Sequence, residues 1–199
     1  KNSEWGAVAY LTHSQYGRNG NEIDTNNSAD NITGNGGGSP DANADSGTIN
    51  AYNTANGQKA STTGNIYGIY DMSGGAWEYV AAFNDTDSDN KETTYGSSFA
   101  GTTKSSTKYA TKYSNSTSTF YGTLIYAVGK TGDSSKEVYV GSEDSNWFND
   151  SSRFLCSSSP FFSRVGIYYT GSLAGVFSLS LMDGDASGSC SFRVVLAGV

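Results

Sequence analysis

The segment from residue 19 to residue 64 most constrains the fold, because it contains scarcely any large apolar side chain. Asn, Gly, Ser, Asp and Thr dominate it, and these residue types favour turns and loops over regular structure. A loop of this length inside a compact domain is uncommon and is usually functional or disordered. We therefore expect a fold in which a small sheet supports long irregular loops.

The apolar side chains that can build a core lie on either side of this segment. Residues 2–11 place Trp5, Val8 and Ala9 at helical spacing after Ser3, which is suited to cap a helix, so we expect a short amphipathic helix with Trp5 facing inward. In the alternating segment 178–181 we expect Leu179 to face inward. The pattern predicts a single domain over residues 1–199, with strand-length apolar runs at 66–72, 77–83, 121–128, 138–140, 161–169, 176–182 and 192–196.

The net charge of the chain limits the kinds of molecule that it is expected to bind. The formal net charge is -7 and the isoelectric point is near 4.5, with no cluster of Lys or Arg, so nucleic acids and anionic membranes are not expected partners. No apolar run approaches the roughly 20 residues that span a bilayer, and we expect no direct membrane insertion by this fragment. A Ser-, Thr-, Asn- and Gly-rich acidic chain indicates an extracellular or virion setting.

Residues 64–80 read GNIYGIYDMSGGAWEYV, the most specific string in the chain. The string resembles the G-L-Y-D-M-x-G-N-x-W-E-W signature of the formylglycine-generating-enzyme family, which has a variant of the C-type lectin fold. Residues 3–5 (SEW) resemble a helix near the start of that domain, and residues 191–196 (SFRVVL) resemble its closing strand. The resemblance implies an α+β, C-type-lectin-like fold of this subtype, with a small antiparallel sheet, short helices and long irregular loops.

Arg193, in the closing segment, is suited to anchor a carboxylate near the end of the chain. The resemblance also points to a metal, because the matching turn of the enzymes can hold a structural calcium. The corresponding positions are Asp71 and Glu78 with the carbonyl groups of Gly74 and Ala76, all oxygen donors of the kind that calcium prefers. We expect no required cofactor.

The catalytic cysteines of that family are missing. The enzymes bind copper through two cysteines five residues apart that follow an Arg-Gly-Gly-x-Tyr string. Aligning that string on residues 164–168 (RVGIY) puts Thr170 and Gly175 at those positions, and neither supplies a thiolate. His13 is the only histidine, expected to be exposed at the end of the first helix, so neither a His-based triad nor a multi-histidine metal site can form. We therefore expect no enzymatic activity.

The composition changes abruptly after Asn149. Asn is abundant up to that point, but residues 150–199 contain no Asn, Lys, Glu, Gln, His or Trp. The frame of Phe, Arg, Gly and Tyr over residues 161–177 resembles the variable region of proteins diversified by diversity-generating retroelements, in which template adenines, commonly in Asn codons, are randomised. An Asn codon can become Ser, Thr, Ile, Leu, Tyr, Asp, Gly or Cys. The residues between the frame positions obey that list except Met182, and Val165 stands where a second Gly is usual.

The resemblance implies that residues 154–191 form a variable ligand-binding region whose side chains face solvent on a fixed scaffold. The contact positions are expected at Cys156, Ser158, Ser159, Ser163, Ile167, Tyr169, Thr170, Leu173, Ser178, Ser180, Leu181, Met182, Asp183, Asp185, Ser187, Ser189 and Cys190. Because both cysteines fall at such positions, we expect neither to be essential and no designed disulfide.

These features favour a receptor or adhesion protein displayed on a bacterial cell surface or a phage particle, with a protein or another cell-surface macromolecule as its ligand. Two alternatives stay open: a formylglycine-generating oxidase-like enzyme, and a structural surface or pilus-tip subunit whose Tyr-rich faces serve assembly.

Overall fold

The computed structural model describes residues 1–27, 33, 50–86, 88–96, 108–118, 128–140, 146 and 148–195. Within these ranges lie helices α1 (Asn2–His13) and α2 (Lys91–Tyr95), 3-10 turns at Gly57–Ala60 and Gly171–Leu173, and strands β1 (Trp77–Asn84), β2 (Thr111–Tyr113), β3 (Phe161–Val165), β4 (Gly175–Met182) and β5 (Cys190–Ser191). A few short helices with one small sheet make the chain α+β, as the sequence predicts. No helix in the described ranges is long and apolar enough to cross a membrane.

The strands form one five-stranded sheet in the order β2-β1-β3-β4, with β5 also paired to β1. β3 runs antiparallel to both of its neighbours, β1 and β4, whereas β2 and β5 run parallel to β1. The expectation of an antiparallel sheet is therefore wrong for these two short strands, and the sheet is mixed. β2 and β5 share the edge of β1 that faces away from β3.

The first helix packs against the sheet as predicted. The Trp5 side chain is 5 % exposed, and its indole Nε1 donates to the carbonyl oxygen of Val176 at 2.8 Å. It joins a core cluster with Val165, Val176 and Phe177. The expected cap is displaced: the helix begins at Asn2, so Ser3 lies inside the first turn.

Several predicted strands are absent from the described residues. Of the apolar runs, only 77–83, 161–169 and 176–182 contain strands longer than a single bridge. Segment 66–72 contributes an isolated bridge between Tyr70 and Ser61, segment 138–140 a bridge at Tyr139, and residues 192–195 no strand. The run 121–127 and residue 196 lie outside the described residues. The described parts of 19–64 contain no strand, in agreement with the expected irregular structure, although Gly57–Ala60 form a 3-10 turn.

β4 is buried on both faces along most of its length. Leu179 has no exposed surface, as predicted, but its neighbour Ser178 on the opposite face has none either. The alternating Ser and Leu side chains therefore do not separate a solvent face from a core face. Burial relaxes only at Leu181 and Met182, where the strand ends.

Candidate functional site

The hairpin formed by β3 and β4 carries the centre of the predicted variable region, and that centre is closed to solvent. β3 lies between β1 and β4, and all five of its residues are buried. The expectation that the predicted contact residues face solvent is wrong for several of them, because the sheet and the segments packed on it cover both faces of the hairpin. The buried positions are Cys156, Ser163, Ile167, Ser178 and Ser180.

The other predicted positions keep part or most of their surface accessible, and they gather near different ends of the hairpin. Phe161 pairs with Met182 at one end, and Val165 pairs with Gly175 at the other, about 13 Å away along β3. The half-exposed or exposed positions are Ser158, Ser159, Tyr169, Thr170, Leu173, Leu181, Met182, Asp183, Asp185, Ser187, Ser189 and Cys190. Most of these positions lie on two loops rather than on one continuous hairpin face; Ser158 and Ser159 lie in the segment before β3, and Leu181 and Met182 end β4.

The first loop, residues 168–173, joins β3 to β4 and is called the Tyr169 turn. Its conformation is set by local hydrogen bonds: the Thr170 Oγ1 accepts the amide of Ile167 at 2.9 Å, and the amide of Ser151 donates to the carbonyl of Leu173 at 2.8 Å. Tyr169 is 70 % exposed and packs edge-to-face on Tyr168, with 5.0 Å between ring centroids. Leu173 is 38 % exposed. The turn therefore holds an aromatic and an aliphatic side chain toward solvent on a defined backbone.

The second loop, residues 183–190, follows β4 and is called the Asp183 segment. The Tyr79 hydroxyl donates to the carbonyl of Asp185 at 3.4 Å, and the amide of Trp77 donates to the carbonyl of Ser189 at 2.9 Å. These contacts hold the segment against β1 between the end of β4 and the start of β5. Asp185, Ala186 and Ser187 are exposed, and Asp183, Ser189 and Cys190 are half-buried.

Lys91, Tyr79 and Tyr95 border the Asp183 segment. The change in composition after Asn149 does not indicate any of them. Lys91, at the start of α2, donates to the carbonyl of Ser158 at 2.8 Å and lies 3.9 Å from the Asp183 carboxylate. Burial raises the pKa of Tyr79 to about 12, and a hydrogen bond to Asp185 raises the pKa of Tyr95. Both phenols are therefore neutral at pH 7, and the charges of this loop come from its aspartates and Lys91.

A pair of left-handed residues connects β3 to the Tyr169 turn. Val165 has φ 86° and Gly166 has φ 79°, a region that glycine enters freely and a β-branched residue does not. A glycine, which is usual at position 165 in the proteins that this region resembles, would adopt this backbone conformation without strain. Val165 occupies the position with a buried side chain in the Trp5 core cluster, and this burial opposes the backbone strain.

Arg164 sits at the middle of the scaffold with no exposed surface. Its guanidinium donates to the Asn2 Oδ1 at 2.7 and 3.0 Å, to the carbonyl of Asp133 at 2.6 Å and to the carbonyl of Ser134 at 3.2 Å. The Asp133 carboxylate accepts the hydroxyl of Tyr113 and supplies a nearby negative charge. Arg164 therefore joins α1 and the 133–134 loop to the hairpin.

The expectation that His13 is an exposed bystander is wrong. Its side chain is 11 % exposed, its ring lies 3.9 Å from the Phe148 ring, and its Nε2 is 2.7 Å from the Glu22 Oε1. The helix end packs there on the segment that precedes Asp150. The position of His13 at the end of α1 was predicted correctly, but the sequence did not indicate that the distant segment containing Phe148 covers its side chain.

The two carboxylates among the proposed calcium donors, Asp71 and Glu78, form hydrogen bonds with other protein groups. Both carboxylate oxygens of Glu78 accept hydrogen bonds from Arg193, which also donates to the carbonyls of Tyr70 and Asp71. The Asp71 Oδ1 accepts the amide of Asn26 at 2.8 Å. Arg193 thus anchors a carboxylate as predicted, and its guanidinium supplies the positive charge that a cation would supply. In the described ranges no group of three or more His, Cys, Asp or Glu side chains converges as a metal site.

The two positions aligned with the copper-binding cysteines have structural contacts instead. Thr170 supports the Tyr169 turn, and Gly175 packs so closely on Asp150 that a Cβ at that position would overlap the carboxylate. Cys156 and Cys190 are both free thiols, the first buried and the second half-buried. Burial raises the pKa of Cys190, so its thiol is protonated at neutral pH.

Comparison of the chain with protein-family models, with curated proteins and with solved structures gave no match.

Proposed function

We propose that this chain is a ligand-binding protein that contacts its partner through the Tyr169 turn and the Asp183 segment, with the β3–β4 hairpin as a fixed support. One observation carries the proposal. Most of the positions that the Asn-codon substitution pattern marks as variable and that the structure leaves accessible lie on these two loops, while the hairpin between the loops is largely buried. Side chains on such loops can change without changing the core beneath them.

The chemistry of the two loops suits recognition of a macromolecule. Tyr169 offers a rigid, amphipathic contact of the kind that antibody loops use, and Ser187 and Ser189 offer adaptable hydrogen bonding. Asp183 and Asp185 give the second loop a negative charge that Lys91 only partly offsets. We infer a protein or cell-surface macromolecule with a polar, partly basic surface as the ligand class.

The buried positions take a different role in this proposal. Ser163, Ser178 and Ser180 act as small side chains that let β3 and β4 pack against the segments covering them, and Ile167 and Cys156 belong to the core. A retroelement that altered their codons would be limited to small or apolar replacements. The proposed contact set is accordingly the accessible subset of the predicted positions.

The remaining parts of the proposal rest on the sequence resemblances. They are a C-type-lectin-like fold of the formylglycine-generating-enzyme subtype, an absence of enzymatic activity, and display on a bacterial surface or a phage particle. The contact between Arg193 and Glu78 supports the fold assignment, because it ties the closing Phe-Arg segment to the Trp-Glu pair of the signature.

Sequencing of the encoding locus across related isolates tests the proposal. We expect substitutions concentrated in the codons for the Tyr169 turn and the Asp183 segment, with conservative changes only at Ser163 and Ser178. A neighbouring reverse-transcriptase gene and an Asn-rich near-copy of the tail would accompany them. Substitutions scattered evenly over residues 1–199 would contradict it.

Two biochemical results would favour the alternatives. Copper-dependent turnover of a Cys-containing sulfatase peptide would indicate the oxidase-like enzyme. Polymerisation of the purified domain that is abolished by Tyr169→Ser, but not by a matched substitution at the exposed Tyr67, would indicate a structural subunit.

A further inference from the structure

A buried carboxyl group holds the base of the Tyr169 turn. Asp150 is 1 % exposed, and its Oδ2 accepts the amide of Phe177 in β4 at 3.1 Å. Gly175, where β4 leaves the turn, packs directly on the carboxyl group. The next residue, Ser151, donates its amide to the carbonyl of Leu173 at 2.8 Å. Asp150 and its neighbour Ser151 therefore hold the end of the Tyr169 turn in place through these contacts.

The surroundings of Asp150 disfavour a negative charge. None of the ion pairs formed among the described residues includes Asp150, and β4 carries no titratable side chain. The charged group that acts on it is Glu22, which lies in the segment after α1 and contacts His13, while Arg153, three residues further along the chain, has an exposed side chain. Burial, followed by the negative charge of Glu22, raises the pKa of Asp150 to about 8. The backbone amides of Phe177 and Ser178 donate hydrogen bonds to the carboxyl group and only partly offset these effects.

We propose that ionisation of Asp150 releases the Tyr169 turn. While the carboxyl group is protonated, the turn holds Tyr169 and Leu173 in a fixed arrangement. After the carboxyl group loses its proton to solvent, the turn becomes mobile. An unpaired charge at this depth is better solvated outside. As the carboxylate leaves, the bond to the Phe177 amide breaks and the adjacent link from Ser151 to Leu173 loosens. The importance of this switch for binding rests on the proposed function, whereas the switch itself is a property of the domain.

A pH titration of the whole chain by NMR tests the coupling without a ligand. The probes are the Asp150 Cγ, the methyl groups of Leu173 and the ring of Tyr169, followed from pH 5.5 to pH 9.5. We expect all three to change with a common midpoint near pH 8, and the Leu173 signals to sharpen above it as the turn becomes mobile. Asp150→Asn removes the transition at Leu173 and Tyr169. Asp183→Asn, a carboxylate beyond the other end of β4, is the matched control and leaves it in place.

Three results would overturn the proposal. They are an Asp150 midpoint below pH 5, an Asp150 transition that Leu173 and Tyr169 do not follow, and a Leu173 transition that survives in Asp150→Asn. If Asp150→Asn does not fold, Glu22→Gln replaces it, because Gln keeps a hydrogen-bonding partner for His13 while removing the neighbouring charge. The common midpoint should then fall, and an unchanged midpoint would count against the proposal. Failure of the proposed function would appear in the sequencing experiment and would leave this titration unaffected.

Discussion

Removal of the buried Arg164 guanidinium should destabilise the domain strongly. In Arg164→Met the side chain keeps a similar length, but the Asn2 Oδ1 and the carbonyl oxygens of Asp133 and Ser134 lose their donors. Arg164 has no exposed surface, so water cannot readily replace the lost donors. The negative charge of Asp133 also loses its nearby cation.

The expected loss follows from these contacts. A buried acceptor left without a donor costs about 1–3 kcal/mol, and removing one partner of a buried charged group costs about 3–5 kcal/mol in total. These two contributions overlap, so we expect the free energy of unfolding to fall by about 3–5 kcal/mol. This is a large share of the roughly 5–15 kcal/mol that stabilises a typical domain. Arg164→Lys should recover only part of it, because one ammonium group cannot reproduce the guanidinium fork.

Urea unfolding followed by intrinsic fluorescence measures the loss. With a slope of about 2 kcal/mol per molar urea, the midpoint should move down by about 1.5–2.5 M. Arg153→Met is the matched control, since Arg153 is exposed, and it should change the free energy of unfolding by less than about 0.5 kcal/mol. A loss below about 1 kcal/mol in Arg164→Met, or equal losses in both variants, would refute the reasoning.

Three further predictions concern other parts of the molecule. Because the folded-state pKa of Asp150 is about 8 against an ordinary value of 3.8, the native state holds a proton that the unfolded state releases, and stability falls as pH rises between these values. The free energy of unfolding of Asp150→Asn relative to the wild type should therefore rise by about 4 kcal/mol from pH 5 to pH 8 in urea unfolding, and a constant difference would contradict this. Tyr169→Ser should change stability by less than about 0.5 kcal/mol, whereas the buried Ile167→Ser should cost about 3 kcal/mol or more, and similar losses would argue against the two assigned environments. Since Arg193 occupies the Glu78 carboxylate, EDTA should leave the Tm unchanged, and a calcium-reversible fall in Tm would show that a cation binds.

Local periodicity was sufficient to predict the elements that its own residues specify. The spacing of Trp5, Val8 and Ala9 predicted the first helix and its inward face, and the alternation around Leu179 predicted that this side chain is buried. The Phe-Arg segment predicted that Arg193 anchors a carboxylate. The first two features depend on residues that are close together along the chain. The third depends on the guanidinium of Arg193, which needs an opposite charge when it is partly buried.

Features that depend on distant segments could not be obtained in this way. A serine such as Ser163 or Ser178 has no preference strong enough to show that both faces of its strand are covered. The parallel pairing of β2 and β5 with β1 depends on how long connections return to the sheet. Asp150 stands at the composition break, but nothing in its neighbours indicates that β4 and Gly175 enclose its carboxyl group.

The central claim, that a buried hairpin supports two exchangeable loops, is tested most directly by a saturation mutagenesis scan of residues 154–191 with surface-display level as the measure of folding. We predict that Tyr169, Asp185 and Ser187 tolerate most of the twenty amino acids, charged ones included, while Ser163 and Ile167 tolerate only small or apolar replacements. Equal tolerance at both sets of positions, or charged residues accepted at Ser163, would contradict the account.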